Sequence, residues 1–137
     1  MTLHVEVVSP ERILWTGEAQ MVIARTVGGG DIAFLTGHAP FVGALDIHPV
    51  FVRAEDGTEE VIAVHGGFVE VSNDRVTVLS DVAEVSSQID VERARAAEQR
   101  AEEALRGGED EEADAALRRA KVRLEAATGA TAASATH

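Results

Sequence analysis

Leu3, Val5 and Val7 alternate with His4 and Glu6, the two-residue period of a strand with one buried face. A second apolar run covers residues 18–25, EAQMVIAR. Residues 49–54 and 59–65 flank Asp56-Gly57, a dipeptide that supplies the positive φ of a tight hairpin turn. The stretch HGGFVEVSNDRVTVLSD then presents Phe68, Val69 and Val71, a Ser72-Asn73-Asp74 turn, and Val76, Val78 and Leu79. Short strands broken by turn signals at this spacing predict a compact antiparallel β-sandwich or flattened barrel over residues 1–86.

The period changes near Ser86. From Asp90 to Arg106 the apolar positions are Ala94, Ala97, Ala101, Ala104 and Leu105, which is helical spacing. Gly107-Gly108 ends that run, and the acids at 109–112 suit the positive end of a following helix. Ala113, Ala116, Leu117, Ala120, Leu124 and Ala127 mark a second stripe. The pattern predicts an antiparallel hairpin of two helices over residues 87–127, each about 17 residues and about 25 Å long. The tail, 128–137, has no stripe and is expected to be disordered. The fold class is therefore α+β. Both stripes are mostly alanine, and each buried methyl contributes only about 0.8 kcal/mol. Helix propensity is high but packing is weak, so the hairpin is expected to detach from the sandwich without melting.

A formal charge of −12 argues against nucleic acid, whose phosphates reward basic residues. It argues equally against a polybasic membrane anchor. No cysteine is present, so neither a disulfide frame nor thiol chemistry enters. No apolar run approaches the ~20 residues that span a bilayer, and the first residues do not read as a secretion signal. Any membrane association is expected to be indirect, through a partner.

Catalytic chemistry finds little support. Residues 28–40, GGGDIAFLTGHAP, begin like a phosphate loop but lack G-x-x-x-x-G-K-[ST], and the only lysine is the distant Lys121. His4, His38, His48, His65 and His137 show no zinc-site spacing, and Ser9 has no evident base. The glycine-rich stretch then reads either as a plain strand connection or as a stiff docking tip in which Pro40 and Phe41 anchor one side. In IDVERA, residues 89–94, Asp90 is placed to cap a helix. Arg93 and Arg100 share one helix face and Arg119 and Arg123 another. Closing the hairpin makes these either a phosphate site or a salt-bridged polar face.

Three stretches in order carry a resemblance: VVSPERILWTGEA, GGGDIAFLTGHAPFVGAL and VHGGFVEVSNDRVTVLSDVAE, followed by a helical hairpin. Over nearly its whole length the chain resembles the epsilon subunit of the bacterial F-type rotary, proton-translocating ATP synthase. Ala33 stands where that family often has glycine, and Thr36 where it often has proline. The resemblance implies a non-catalytic subunit of the central stalk, at the cytoplasmic face of the plasma membrane. It implies a sandwich that binds the gamma subunit and rests on the ring of c subunits. Gly30, Asp31 and the turn Gly37-His38-Ala39-Pro40 would face the ring and the foot of gamma. The hairpin would be regulatory, compact during turnover and extended into the alpha and beta subunits when it blocks hydrolysis. No cofactor is required, but ATP is implied as a regulatory ligand of the compact form. Ile89, Asp90, Arg93 and Ala94 match the family's [IL]-D-x-x-R-A motif, and Glu84, Arg100, Arg119 and Arg123 fall at ligand positions. Two other classes compete with this reading. One is a free-standing nucleotide-sensing module; the other is a small β-sandwich enzyme built on His38 and Asp31.

Overall fold

A computed structural model describes residues 2–128. The disordered tail expected over 128–137 lies outside the described residues, Thr128 excepted. Eight strands come first: β1 (Leu3–Val8), β2 (Ile13–Ala19), β3 (Met21–Thr26), β4 (Gly30–Leu35), β5 (Phe41–Arg53), β6 (Glu59–Ser72), β7 (Arg75–Leu79) and β8 (Ala83–Val85). A 3₁₀ turn, Ser86–Gln88, leads into α1 (Val91–Arg106) and α2 (Glu111–Ala127). The fold is α+β, a β-sandwich followed by two helices that pack together.

One hydrogen-bonded path, β2-β1-β7-β6-β5-β3-β4 with β8 added on β6, builds both layers. It can do so because β5 and β6 serve both. β7 pairs with residues 68–72 of β6, whereas β8 pairs with residues 62–64 of the same strand. The core lies between the layers and is largely valine and leucine: Leu3, Val5 and Val7 of β1 meet Val22, Phe34, Val50, Ile62, Val69 and Val76. These are β-formers at alternate positions, so one face of each strand is dry and the other is free for other contacts.

The sequence suggests two strands on either side of Gly66-Gly67, but the structure has one. Before the glycines Ile62 and Val64 point into the core, and Val61 and Ala63 point toward the helices. After them Val69 and Val71 point inward while Phe68 and Glu70 face out. The glycine pair takes up this change of face. Gly67 has φ +120, and a Cβ there would sit 2.0 Å from the Leu79 carbonyl oxygen. The backbones of β6 and β7 approach too closely at this point for any side chain. The run at 18–25 is likewise not one strand: Gln20 breaks it between β2 and β3.

Asp90 caps α1 by accepting the Arg93 N–H at 3.0 Å, and Asp110 caps α2 by accepting that of Ala113 at 3.1 Å. Ala94, Ala101, Ala113 and Ala120 are buried, as the stripes require, but Ala104 is exposed. The alanine stripes missed a second face of α2. Val122 and Ala126 lie against Ile23, Phe51, Val61 and Ala63, and this seam seats the hairpin on the sandwich. Two ion pairs flank the seam, Arg118 with Asp46 and Arg123 with Glu84.

Candidate functional site

Helix capping and strand pairing bring side chains from three elements around one cleft. β8 hydrogen-bonds to β6 and so holds Glu84 at the edge of the sheet. The Asp90 cap orients the first turn of α1, and the antiparallel return of α2 adds Arg123. The result is a cleft of about 360 Å³, lined by Glu84, Asp90, Arg93, Ala94, Arg100 and Arg123 among others. That volume falls within the range of small-molecule sites, about 300–1,000 Å³. Arg123 Nε donates to Glu84 Oε1 at 2.6 Å, so this guanidinium is already neutralised. Arg93 and Arg100 form no ion pair among the described residues. Three guanidiniums therefore face two carboxylates, an arrangement that favours an anion with several acceptor oxygens.

Two residues assigned to this set from the sequence stand elsewhere. Ile89 is buried in the seam beneath α2, where it packs with Phe51 and Val122. Arg119 Nη2 donates to Glu112 two turns back along the same face of α2, at 2.9 Å. Ile89 therefore shapes the site from below, and Arg119 enters it only by reorienting.

The glycine-rich stretch is a hairpin turn. Arg25 pairs in register with Asp31 and Thr26 with Gly30, and Thr26 Oγ1 bonds the Gly30 carbonyl at 3.3 Å. The Gly29 N–H is directed at the Thr26 carbonyl, not outward toward a ligand. Asp31 is bound by Arg25 Nε at 2.8 Å. At the other end of β4, Gly37 N–H donates to Asp74 Oδ1 at 2.7 Å, which ties the 37–40 turn to the β6–β7 turn. The His38 ring sits edge-on to Phe34, with ring centroids 5.0 Å apart, and Phe41 closes the cluster. The six residues assigned to one docking surface are thus not one cluster. Gly30 and Asp31 open β4, and five residues, 32–36, separate Asp31 from the Gly37-His38-Ala39-Pro40 turn, a span of about 20 Å.

The order of a valine-rich sandwich and a capped helical pair is matched by two protein-family domains. The beta-sandwich domain of the ATP synthase Delta/Epsilon chain matches residues 2–86, and its long alpha-helix domain matches residues 87–128. The ATP synthase epsilon chain of Streptomyces coelicolor is 45% identical over 127 residues, covering 93% of this chain and 96% of that one. That of Synechococcus elongatus is 44% identical over 135 residues, covering 94% and 97%. The chain belongs to the ATP synthase epsilon family. Among solved structures, a chain of the Euglena gracilis mitochondrial ATP synthase (OSCP/F1/c-ring in rotational state 1) superposes with a TM-score of 0.79 at 21% identity. It covers 93% of this chain and 81% of that one, and at this identity it speaks to fold. Membership makes the chain a non-catalytic component of ATP synthase, and no described helix is long and apolar enough to cross a membrane.

The sandwich of this chain has a second surface that the sequence did not reveal. Beyond the glycine pair Phe68 faces out and is 55% exposed, opposite Ala44 of β5 and Leu79 of β7. Val42, two residues along β5 on the same face, is 71% exposed. Glu70, opposite Val42, interrupts this group, so the face carries exposed apolar side chains beside a charged one. Its signal was present but unreadable: Phe68 follows two glycines, and only the change of face at Gly67 turns it outward.

Proposed function

We propose that this chain is the rotor subunit of the central stalk, gripping the gamma subunit with its sandwich and gating hydrolysis with its hairpin. The observation that carries the proposal is the construction of the seam. A rigid sandwich holds α2 through Val122, Ala126 and two partly exposed ion pairs, so the hairpin can leave as a unit while each helix keeps its own caps. Gamma docks on the Phe68–Leu79–Val42 face, and the 37–40 turn, stiffened by Asp74 and the Phe34–His38–Phe41 cluster, rests on the c ring. Proton-driven rotation of that ring then reaches the shaft through a body that does not yield. The extended hairpin reaches the alpha and beta subunits and blocks hydrolysis. Attachment to the cytoplasmic face of the plasma membrane follows indirectly, through the ring.

ATP is the ligand that the cleft fits. Arg93 and Arg100 present free forks to phosphates, and Ala94 leaves room beside them. The cleft exists only while α1, α2 and β8 are together, so bound ATP favours the compact state by RT ln(1 + [L]/Kd). Gel filtration with purified gamma tests the first half: co-elution at micromolar concentration is expected, and separate elution refutes it. Isothermal titration with ATP tests the second. Arg100→Gln should weaken binding by about tenfold, the loss of one charge-assisted fork, and Arg119→Gln by much less. No heat at millimolar ATP refutes the nucleotide reading and leaves the rotor reading standing.

A further inference from the structure

One buried polar side chain serves neither the cleft nor the exposed face. His65 lies on β6 opposite Ile47 of β5, on the side that also presents Val61 and Ala63 to α2. Its side chain is 3% exposed, and neither ring nitrogen has a hydrogen-bond partner. Nε2 lies 3.4 Å from Glu84 Oε1, but that oxygen already takes the Arg123 N–H. The charged groups around the ring come from two elements. β8 contributes Glu84, and α2 contributes Arg123 and, more distantly, Arg119. Ser80 and Asp81, between β7 and β8, line the opening on its other side with Gly66 and Phe68. From α1, Arg93 and Arg100 face the cleft that Glu84 also lines.

We propose that His65 is a proton-operated latch on the hairpin, neutral beneath docked α2 and protonated once α2 leaves. The proposal rests on the detachable hairpin of the preceding section, not on ATP. Burial and then Arg123 push the docked imidazole down to about 4, with Glu84 pulling the other way. Departure of α2 removes its cover and both arginines and leaves Glu84 beside the ring, so its affinity for a proton returns to the ordinary value of about 6.5 or above. The released state therefore binds more protons. The docked state's advantage is fully present above about 6.5 and is lost as pH falls toward about 4. Between pH 7.5 and 5.5 the ratio of released to docked hairpin rises about tenfold. Acid and loss of ATP then act in the same direction, through different residues on the two sides of Glu84.

The test uses the full chain. The His65 imidazole, followed by NMR, should titrate below about 5, and a midpoint near about 6.5 overturns the proposal. Cysteines placed at Gln20 and Glu109, in a chain that has none of its own, accept a donor and an acceptor dye on sandwich and hairpin tip. In a Val122→Ala background, chosen to weaken docking, the ratio should rise about tenfold from pH 7.5 to 5.5, and by less than about twofold when His65→Gln is added. An undiminished response in His65→Gln, or none in its parent, overturns the latch. ATP added to the same pair at pH 7.5 separates the two readings. A response to ATP without one to acid refutes the latch alone, and a response to neither refutes the detachable hairpin as well. A response to acid but not to ATP supports the latch and refutes closure by nucleotide.

Discussion

Gly67→Ala should be the most damaging single methyl that can be added to this protein. The added carbon would lie 2.0 Å from the Leu79 carbonyl oxygen and close to the Ser80 backbone, at a residue whose φ is +120. Neither neighbour is a side-chain tip that can swing away, so β6 and β7 must separate. Overpacking of this kind costs about 1–3 kcal/mol. The backbone conformation adds about 1–3 kcal/mol for any L-residue. Together the two amount to about 2–6 kcal/mol against a total of about 5–15 for a domain. Gly66→Ala is the internal control. Its φ is +83, but the nearest atom to an added carbon, the Leu45 carbonyl oxygen, is 3.8 Å away. Only the left-handed backbone penalty remains there, about 1–2 kcal/mol. Urea unfolding followed by Trp15, the single tryptophan, measures both. Equal losses at the two positions would refute the claim that close backbone approach, not backbone hand, makes Gly67 necessary.

Other substitutions separate the seam from its flanking charges and from the outer face. Val122→Ala removes two methyls from a site that is 2% exposed and should shift docking by about 1–2 kcal/mol, or five- to thirtyfold, as read by the dye pair. The sandwich's own urea midpoint should not move. Arg118→Ala breaks an ion pair whose members are 47% and 34% exposed, so its effect on docking should stay below about 1 kcal/mol. A larger effect than that of Val122→Ala would make the seam electrostatic. Phe68→Ser should cost less than about 1 kcal/mol, since Phe68 is more than half exposed. It should nevertheless weaken co-elution with gamma, and unchanged co-elution would remove this face from the interface.

The parts legible in the sequence were those governed by local chemistry. Alternation in β1, the Asp56-Gly57 and Asn73-Asp74 turns, the Asp90 cap and the glycines between the helices all follow from neighbours within a few residues. What stayed hidden depends on two strands meeting. Nothing adjacent to Phe68 says that it faces out, because its direction is set where Gly67 passes Leu79. Val122 and Ala126 fall off the alanine stripe because α2 also packs on the sandwich, and of the stripe positions only Ala127 borders that seam. For the cleft, Asp90, Arg93 and Ala94 were in view as a motif only through the family resemblance. The exclusion of Arg119 depends on Glu112, which lies seven residues away and competes for its guanidinium.

These features converge on β6. Its first half presents Val61, Ala63 and His65 to the hairpin, and its second half presents Phe68 to the outer face, with the glycine pair between them. One strand therefore carries both the hairpin seam and the proposed shaft contact, on opposite sides of a bend whose second glycine leaves no room for a side chain. A hinge at that point would let the hairpin's departure slacken the grip on gamma. The paired backbones on both sides of the bend oppose this: β5 stays in register with β6 from Phe41 through Arg53, and β7 holds Phe68 to Ser72. On the proposed function, the hairpin would come and go on a sandwich whose other face stays fixed, as a rotor subunit needs if regulation is not to disturb its hold on the shaft.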